Sequence, residues 1–374
     1  MRNDIIKKVV IAVLIVIAIL LILFVGKEVA IRFFGMKTPS ISKSTSLNAK
    51  KIDISLENNK NFKHITTDKH IYFVTTDKIH ITDANGNDKK TLSVSVETPC
   101  VISSGEYVLV GDIGANKIYI IKNTSIIKEI ETKKIIKNVS LNEAGYFVAV
   151  TEGDMHKRDV TLYNERGEEL FVWTSGNKLV FDAVVANNNK NVVISSLNTQ
   201  GNAANTILSF YNISKEEPVA THNYDDEIIV DLAVKGNYIY AIGESLTDIY
   251  TVTGDKKSEI LYDDKSLISY DITNNGTVMS FKQGTLSDKR YCIEIYNENG
   301  TRTAFHEFDY VSKSLDATNN YIVLEREGLI NVLDYNGREQ KLIDSGFDIN
   351  ELSFVGNTKK IVGFTADGAY IITI

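Results

Sequence analysis

The chain has 374 residues, 43% apolar and 24% charged, the composition of a folded globular protein and not of a disordered one. Residues 1–51 hold nine of the 41 Lys/Arg and two of the 48 Asp/Glu, so the remainder carries 32 basic against 46 acidic residues, a balance of −14. That excess of acid argues against a nucleic-acid partner, which needs a basic face.

The first element is the run VVIAVLIVIAILLILFV, Val9 to Val25, seventeen consecutive apolar residues. At about 1.5 Å rise per residue such a helix nearly matches a hydrocarbon core. Cleavable signal peptides have shorter apolar regions ending in a small-x-small site, whereas Gly26-Lys27-Glu28 follows here, so the segment reads as an uncleaved anchor over 9–26. Arg2, Lys7 and Lys8 precede it and Lys27, Arg32 and Lys37 follow, which nearly balances the charge comparison that sets orientation. The reading places a short tail, 1–8, in the cytoplasm and everything after the anchor outside it. Residues 27–50, rich in Ser, Thr and Lys and without apolar periodicity, read as a tether.

From residue 51 onward no helical period is evident. Short β-branched and aromatic runs alternate with Asn, Asp and Gly, the signature of an all-β fold. One block recurs as ITDANGNDKKTL from Ile81, LYNERGEELF from Leu162, IYTVTGDKKSEIL from Ile249, IYNENGTRTAF from Ile295 and VLDYNGREQKL from Val332. Asn-Gly and its relatives supply the positive φ of tight hairpins. From Gly86 to Gly337 the turn glycines span six intervals of about 42 residues, the period of propeller blades. A second recurring hairpin lies upstream of each block, giving eight four-stranded units near 62–97, 100–131, 136–174, 179–223, 228–262, 267–309, 312–344 and 348–374. The expected fold is an eight-bladed β-propeller over 51–374. Its last unit holds three strands, so KIDISL, Lys51–Leu56, is expected to supply the fourth and close the ring.

Three segments, Thr98–Ile121, Gly145–Gly176 and Ser195–Ile213, are similar to an uncharacterised, domain-of-unknown-function family of membrane-anchored β-propeller proteins of Clostridia and related Firmicutes. Its typical Asp-Ile-Gly-Gly stretch appears here as Asp112-Ile113-Gly114-Ala115. The resemblance implies the fold and the cytoplasmic N-terminus and brings no catalytic residue with it.

The chemistry-bearing motifs are few. Phosphate-loop, dinucleotide, zinc-protease and Ser-hydrolase signatures do not occur. Cys100 and Cys292 stand far apart outside any Cys-x-x-Cys pair, so they read as ordinary buried thiols. Asp83, Asn85, Asn87 and Asp88 resemble a calcium loop, but Gly86 and Val94 stand where an EF-hand would not have them, and a hairpin turn explains the segment. Trp173 reads as packing between blades.

Three second-to-third-strand loops are long: Thr151–Asp159, Ser196–Asn205 and Lys282–Arg290. With the Asp112 turn they nominate Asp112, Glu152, Asp154, Arg158, Asn198, Gln200, Asp288 and Arg290 as a binding face. The innermost strands align Asn138, Asp182, Asp231, Ser269 and Glu351 at one depth in the central channel. Asp182 and Asp231 there are candidate ligands for a cation, the one cofactor considered. The function these features point to is a non-catalytic binding, scaffold or sensory module of the cell envelope, membrane-anchored, with a protein or glycan partner. An envelope glycan-processing enzyme using Glu152 and Asp154 and a cytoplasmic-facing scaffold are the alternatives.

Overall fold

The computed structural model describes residues 49–54, 62–153, 158–174, 176, 178–198, 205–284, 290–366 and 368–374. The expected anchor, 9–26, and all but the last two residues of the expected tether, 27–50, lie outside the described residues.

Eight antiparallel four-stranded sheets succeed one another along the chain, each ordered in sequence from first to last strand except the eighth. They span 63–93, 99–131, 136–174, 178–224, 229–261, 266–308, 315–344 and 351–373, close to the units read from the repeat. First strands of neighbouring sheets lie against each other at seven of the eight boundaries, blades 5 and 6 meeting through an apolar cluster, and the last of these strands, Glu351–Phe354, meets the first, Lys63–Thr66, so the ring closes into an eight-bladed propeller.

Burial along a blade follows from this geometry. In blade 2 every residue of the second strand, Tyr107–Asp112, is buried, and so is the centre of the third, Lys117–Lys122. The outer strand, Ser125–Glu131, is mostly exposed. A middle strand has a neighbouring blade on each face, so it reads as a continuous apolar run, whereas the outer strand meets water. Val108 and Val110 pack on Tyr72, Val74, Ile79 and Ile81 of blade 1 in one apolar cluster, and similar clusters fill the other blade boundaries.

The recurring turn has a common mechanism. Oδ1 of Asp83 accepts the amides of Asn85 and Asn87 at 2.8 and 3.0 Å while Gly86 takes φ +71°. Asn164, Asn297 and Asp334 repeat the pattern ahead of Gly167, Gly300 and Gly337. The Asp83 carboxylate that suggested a calcium loop is thus a turn acceptor, while the Asn87 and Asp88 side-chain oxygens meet Lys50 and His80.

The closing strand is Ala49–Lys51, paired with Gly368–Thr373 as Lys50 opposite Ile371. It begins two residues earlier than the Lys51–Leu56 expectation and ends sooner. The reason is local: the Ile54 amide turns back to the Ile52 carbonyl at 3.0 Å, which takes the backbone off the ladder. Leu56 lies outside the described residues.

All inner-to-second and third-to-outer hairpins fall on one side of the ring, the turn face. Second-to-third loops and blade-to-blade connections fall on the other, the loop face. The chain enters the ring at Ala49 on the turn face, because Ala49 stands opposite Ile372 at the end of the last strand.

Candidate binding face and polar channel

The three long loops spring from ladder pairs Glu152 with Arg158, Asn198 with Asn205, and Lys282 with Tyr291, all on the loop face of blades 3, 4 and 6. Glu152 is half exposed and holds Lys137 at 3.4 Å. Arg158 is partly buried at its loop stem, and Arg290 is exposed, its carbonyl accepting the Gln283 amide at 2.8 Å. Asp154, Gln200 and Asp288 lie outside the described residues, so the Glu152 and Asp154 carboxylate pair has only one member here; of Asn198 only the backbone is described. The Asp112 carboxylate is buried and accepts the amides of Glu97 and Thr98 at 2.9 and 2.8 Å, so it fixes the connection from blade 1 to blade 2.

The inner strands of blades 3 to 6 each carry a bulge one residue before Asn138, Asp182, Asp231 and Ser269. The bulged residues are Lys137, Phe181, Val230 and Ile268. A bulge adds a residue that the partner strand does not match and re-aims its side chain. Val230 is 49% and Ile268 42% exposed, and Phe181 is half-buried. Sequence reasoning missed this apolar arc near the loop-face mouth, because a bulge is invisible to strict alternation.

Behind the bulges the channel wall is polar. Asn138 donates through Nδ2 to Asp182 Oδ1 at 2.8 Å. The Leu232 amide lies 2.9 Å from both Asp182 Oδ2 and Asp231 Oδ1, and the Tyr270 hydroxyl donates to Asp231 Oδ2 at 2.6 Å. The same arrangement recurs two blades on, where the Ala317 amide lies 2.8 Å from Asp271 Oδ2 and 2.9 Å from Asp316 Oδ1. Asp316 Oδ2 then accepts the Phe354 amide at 2.5 Å. Burial, and after it the neighbouring Asp231 charge, pushes Asp182 up to about 8. Burial and then Asp271 hold Asp316 well above the usual carboxylate range.

Asn138, Asp182, Asp231 and Ser269 thus share one register, as expected, but Glu351 does not join them. It stands opposite Phe364 on a strand without a bulge and turns to His64 Nε2 of blade 1 at 3.2 Å. For the cation reading, no group of three or more His, Cys, Asp or Glu side chains is placed to hold a metal among the described residues. A cavity of about 770 Å³ opens at the turn-face end, with Tyr270, Asp271 and Asp316 in its wall and Asn274, Asn319 and Asn357 at its rim. The rim amides link neighbouring turns: Asn319 Oδ1 accepts the Asn274 amide and Asn357 Oδ1 the Asn319 amide, at 3.2 and 3.1 Å.

Elsewhere Trp173 donates to the Tyr211 hydroxyl at 2.9 Å between blades 3 and 4, the packing role expected of it. Cys292 is buried, which pushes its thiol up to about 12, and Cys100 is raised in the same way.

Ring, blades and channel define an eight-bladed β-propeller with its chemistry in blade connections and inner strands. Solved structures of the same fold include BamB from Moraxella catarrhalis, at 13% identity and TM-score 0.51 over 88% of this chain and 96% of that one. The C-terminal WD40 domain of Sif2 aligns at 12% identity and TM-score 0.58, over 87% of this chain and 98% of that one. A eukaryotic initiation factor aligns at 11% identity and TM-score 0.55, over 84% and 83%. At such identities the likeness is one of fold. No curated protein is similar to the chain in sequence. The chain belongs to DUF5711, a family of unknown function whose family model matches residues 42–374. No helix among the described residues is long and apolar enough to cross a membrane.

Proposed function

We propose that this protein is a membrane-anchored, extracytoplasmic binding module of the cell envelope, with residues 9–26 as anchor and the loop face over blades 3 to 6 as the surface that takes a protein partner. The observation that carries the reading is a coincidence of place. The stems of all three long loops stand on the same side of the ring as the apolar arc of half-buried Phe181 and exposed Val230 and Ile268. An apolar patch ringed by polar loops on a rigid scaffold has the anatomy of an interface, with a centre that excludes water and a wet rim. The seventeen-residue apolar run supports the anchor.

The test is site-specific photocrosslinking in cells, with a photoreactive residue at Val230, at Ile268 and, on the opposite face, at Asn274. One and the same adduct from the first two positions and none from the third is expected. Equal adducts from all three, or none from Val230 and Ile268, would remove the loop face as the binding surface.

A further inference from the structure

Two backbone amides in the channel are each claimed by two carboxyl groups. Leu232 N–H faces Asp182 and Asp231, and Ala317 N–H faces Asp271 and Asp316, at 2.8 to 2.9 Å in every case. An amide offers one hydrogen and no net charge, so it cannot neutralise two anions that converge on it. The other groups facing the first pair are Asn138 Nδ2 from blade 3, the Ala183 amide from blade 4 and the Tyr270 hydroxyl from blade 6. The second pair meets the Ile272 and Phe354 amides, while the nearby Tyr335 hydroxyl is engaged with Thr273 and the Thr318 carbonyl. Among the described residues no Lys, Arg or His forms an ion pair with any of the four carboxyls.

We infer that the channel wall contains two built proton-binding sites, Asp182 with Asp231 and Asp271 with Asp316, each holding one shared proton and acting as a pH-operated clasp between blades 4 and 5 and between blades 6 and 7. With the proton in place a carboxylic acid donates to its partner carboxylate, while Asp182 Oδ2 and Asp271 Oδ2 keep the Leu232 and Ala317 amides of the next blade. Without it, two anions that are buried or partly buried repel across the blade boundary. The raised pKa values of Asp182 and Asp316 accord with this arrangement. The sign follows from linkage. The folded chain keeps a proton that the unfolded chain releases near pH 4, so the stabilisation is complete below that pH and is lost as pH rises through about 8 for Asp182. Each retained proton lowers the folding constant by about tenfold per pH unit in that window. Asp231 follows the bulged Val230 directly, so the clasp also fixes the backbone that presents the apolar arc. The inference stands apart from the proposed partner, since its test uses none.

The experiment is chemical unfolding of the full chain in detergent from pH 5 to 9, wild type against Asp182→Asn and Asp316→Asn, in which an amide N–H replaces the acid O–H. The folding constant of Asp182→Asn relative to wild type is expected to rise about tenfold per pH unit and to level off above about pH 8. A flat ratio for both variants overturns the inference. Infrared spectroscopy of the wild type covers the case in which neither variant folds. A protonated carboxyl band at pH 6 that disappears on titration to pH 9 is expected, and a wild-type spectrum without it overturns the clasp.

Discussion

The amide of Ile52 donates to the carbonyl of Ala369 at 2.9 Å, and the Ile52 side chain is fully buried. It packs with Ile71 and Phe73 of blade 1 and with Val362, Phe364 and Ile371 of blade 8. One residue from the start of the ring therefore seals its last boundary. Ile52→Ala should cost about 2–5 kcal/mol, the range for truncating a buried isoleucine that its surroundings cannot refill. Deleting residues 1–48 should leave the propeller cooperative, while deleting 1–54 should also expose the edge of the last strand. Denaturant midpoints of the three variants check this, and equal midpoints for the two deletions would mean that the strand does not close the ring.

The blade count was legible because the Asp/Asn-x-x-Gly turn needs both its acceptor and a positive φ, so residue identity and spacing are fixed together at Asp83 and Gly86, Asn164 and Gly167, Asn297 and Gly300, and Asp334 and Gly337. The channel row was legible in part. Aligning inner strands on their following turns brought Asn138, Asp182, Asp231 and Ser269 together but passed over Asp271 and Asp316. The overlooked signal is an Asp followed by an aliphatic residue, as in Asp182-Ala183, Asp231-Leu232, Asp271-Ile272 and Asp316-Ala317, where the side chain accepts the amide of its own successor. That the Asp112 carboxylate accepts two backbone amides was not legible, because a carboxylate beside a loop looks the same in sequence whether it faces solvent or the loop's own amides.

Glu294 is buried on the third strand of blade 6, where it meets Arg302 at 2.6 Å and Lys265 at 3.3 Å and accepts the Tyr296 hydroxyl. Lys265 is itself only 10% exposed, so removing the carboxylate leaves a nearly buried cation with only the exposed Asp263 at 3.6 Å. Glu294→Ala should cost about 3–5 kcal/mol. Arg302 is half exposed, so Arg302→Ala should cost under about 1 kcal/mol. Thermal unfolding of the two variants checks the asymmetry.

Glu351 is held below its ordinary range, first by the hydrogen bond from His64 and then against the opposing effect of burial. A depressed carboxylate contributes stability above its unfolded value, near pH 4.3, and loses it as pH falls through the lower folded value. Because its side chain is 58% exposed, the contribution is expected to be small, below about 1 kcal/mol. Glu351→Gln should therefore be slightly less stable than wild type at pH 6 and indistinguishable from it near pH 3. An undiminished difference at pH 3 would show that the substitution acts through packing against Phe364.

For the proposed anchor, three cations stand within twelve residues on each side of the apolar run, so charge does not set its direction. A Ser42→Cys variant, with its thiol seventeen residues beyond Val25, should react with a membrane-impermeant maleimide on intact cells if the propeller is extracytoplasmic. The background is manageable: Cys292 is buried with a thiol pushed up to about 12, which keeps it unreactive, and Cys100→Ser removes the half-buried one. A separate Asn3→Cys variant, labelled on the other side of the run, should react only after lysis. The reverse pattern would put the propeller in the cytoplasm, and the partner captured at Val230 and Ile268 would then have to be a cytoplasmic protein.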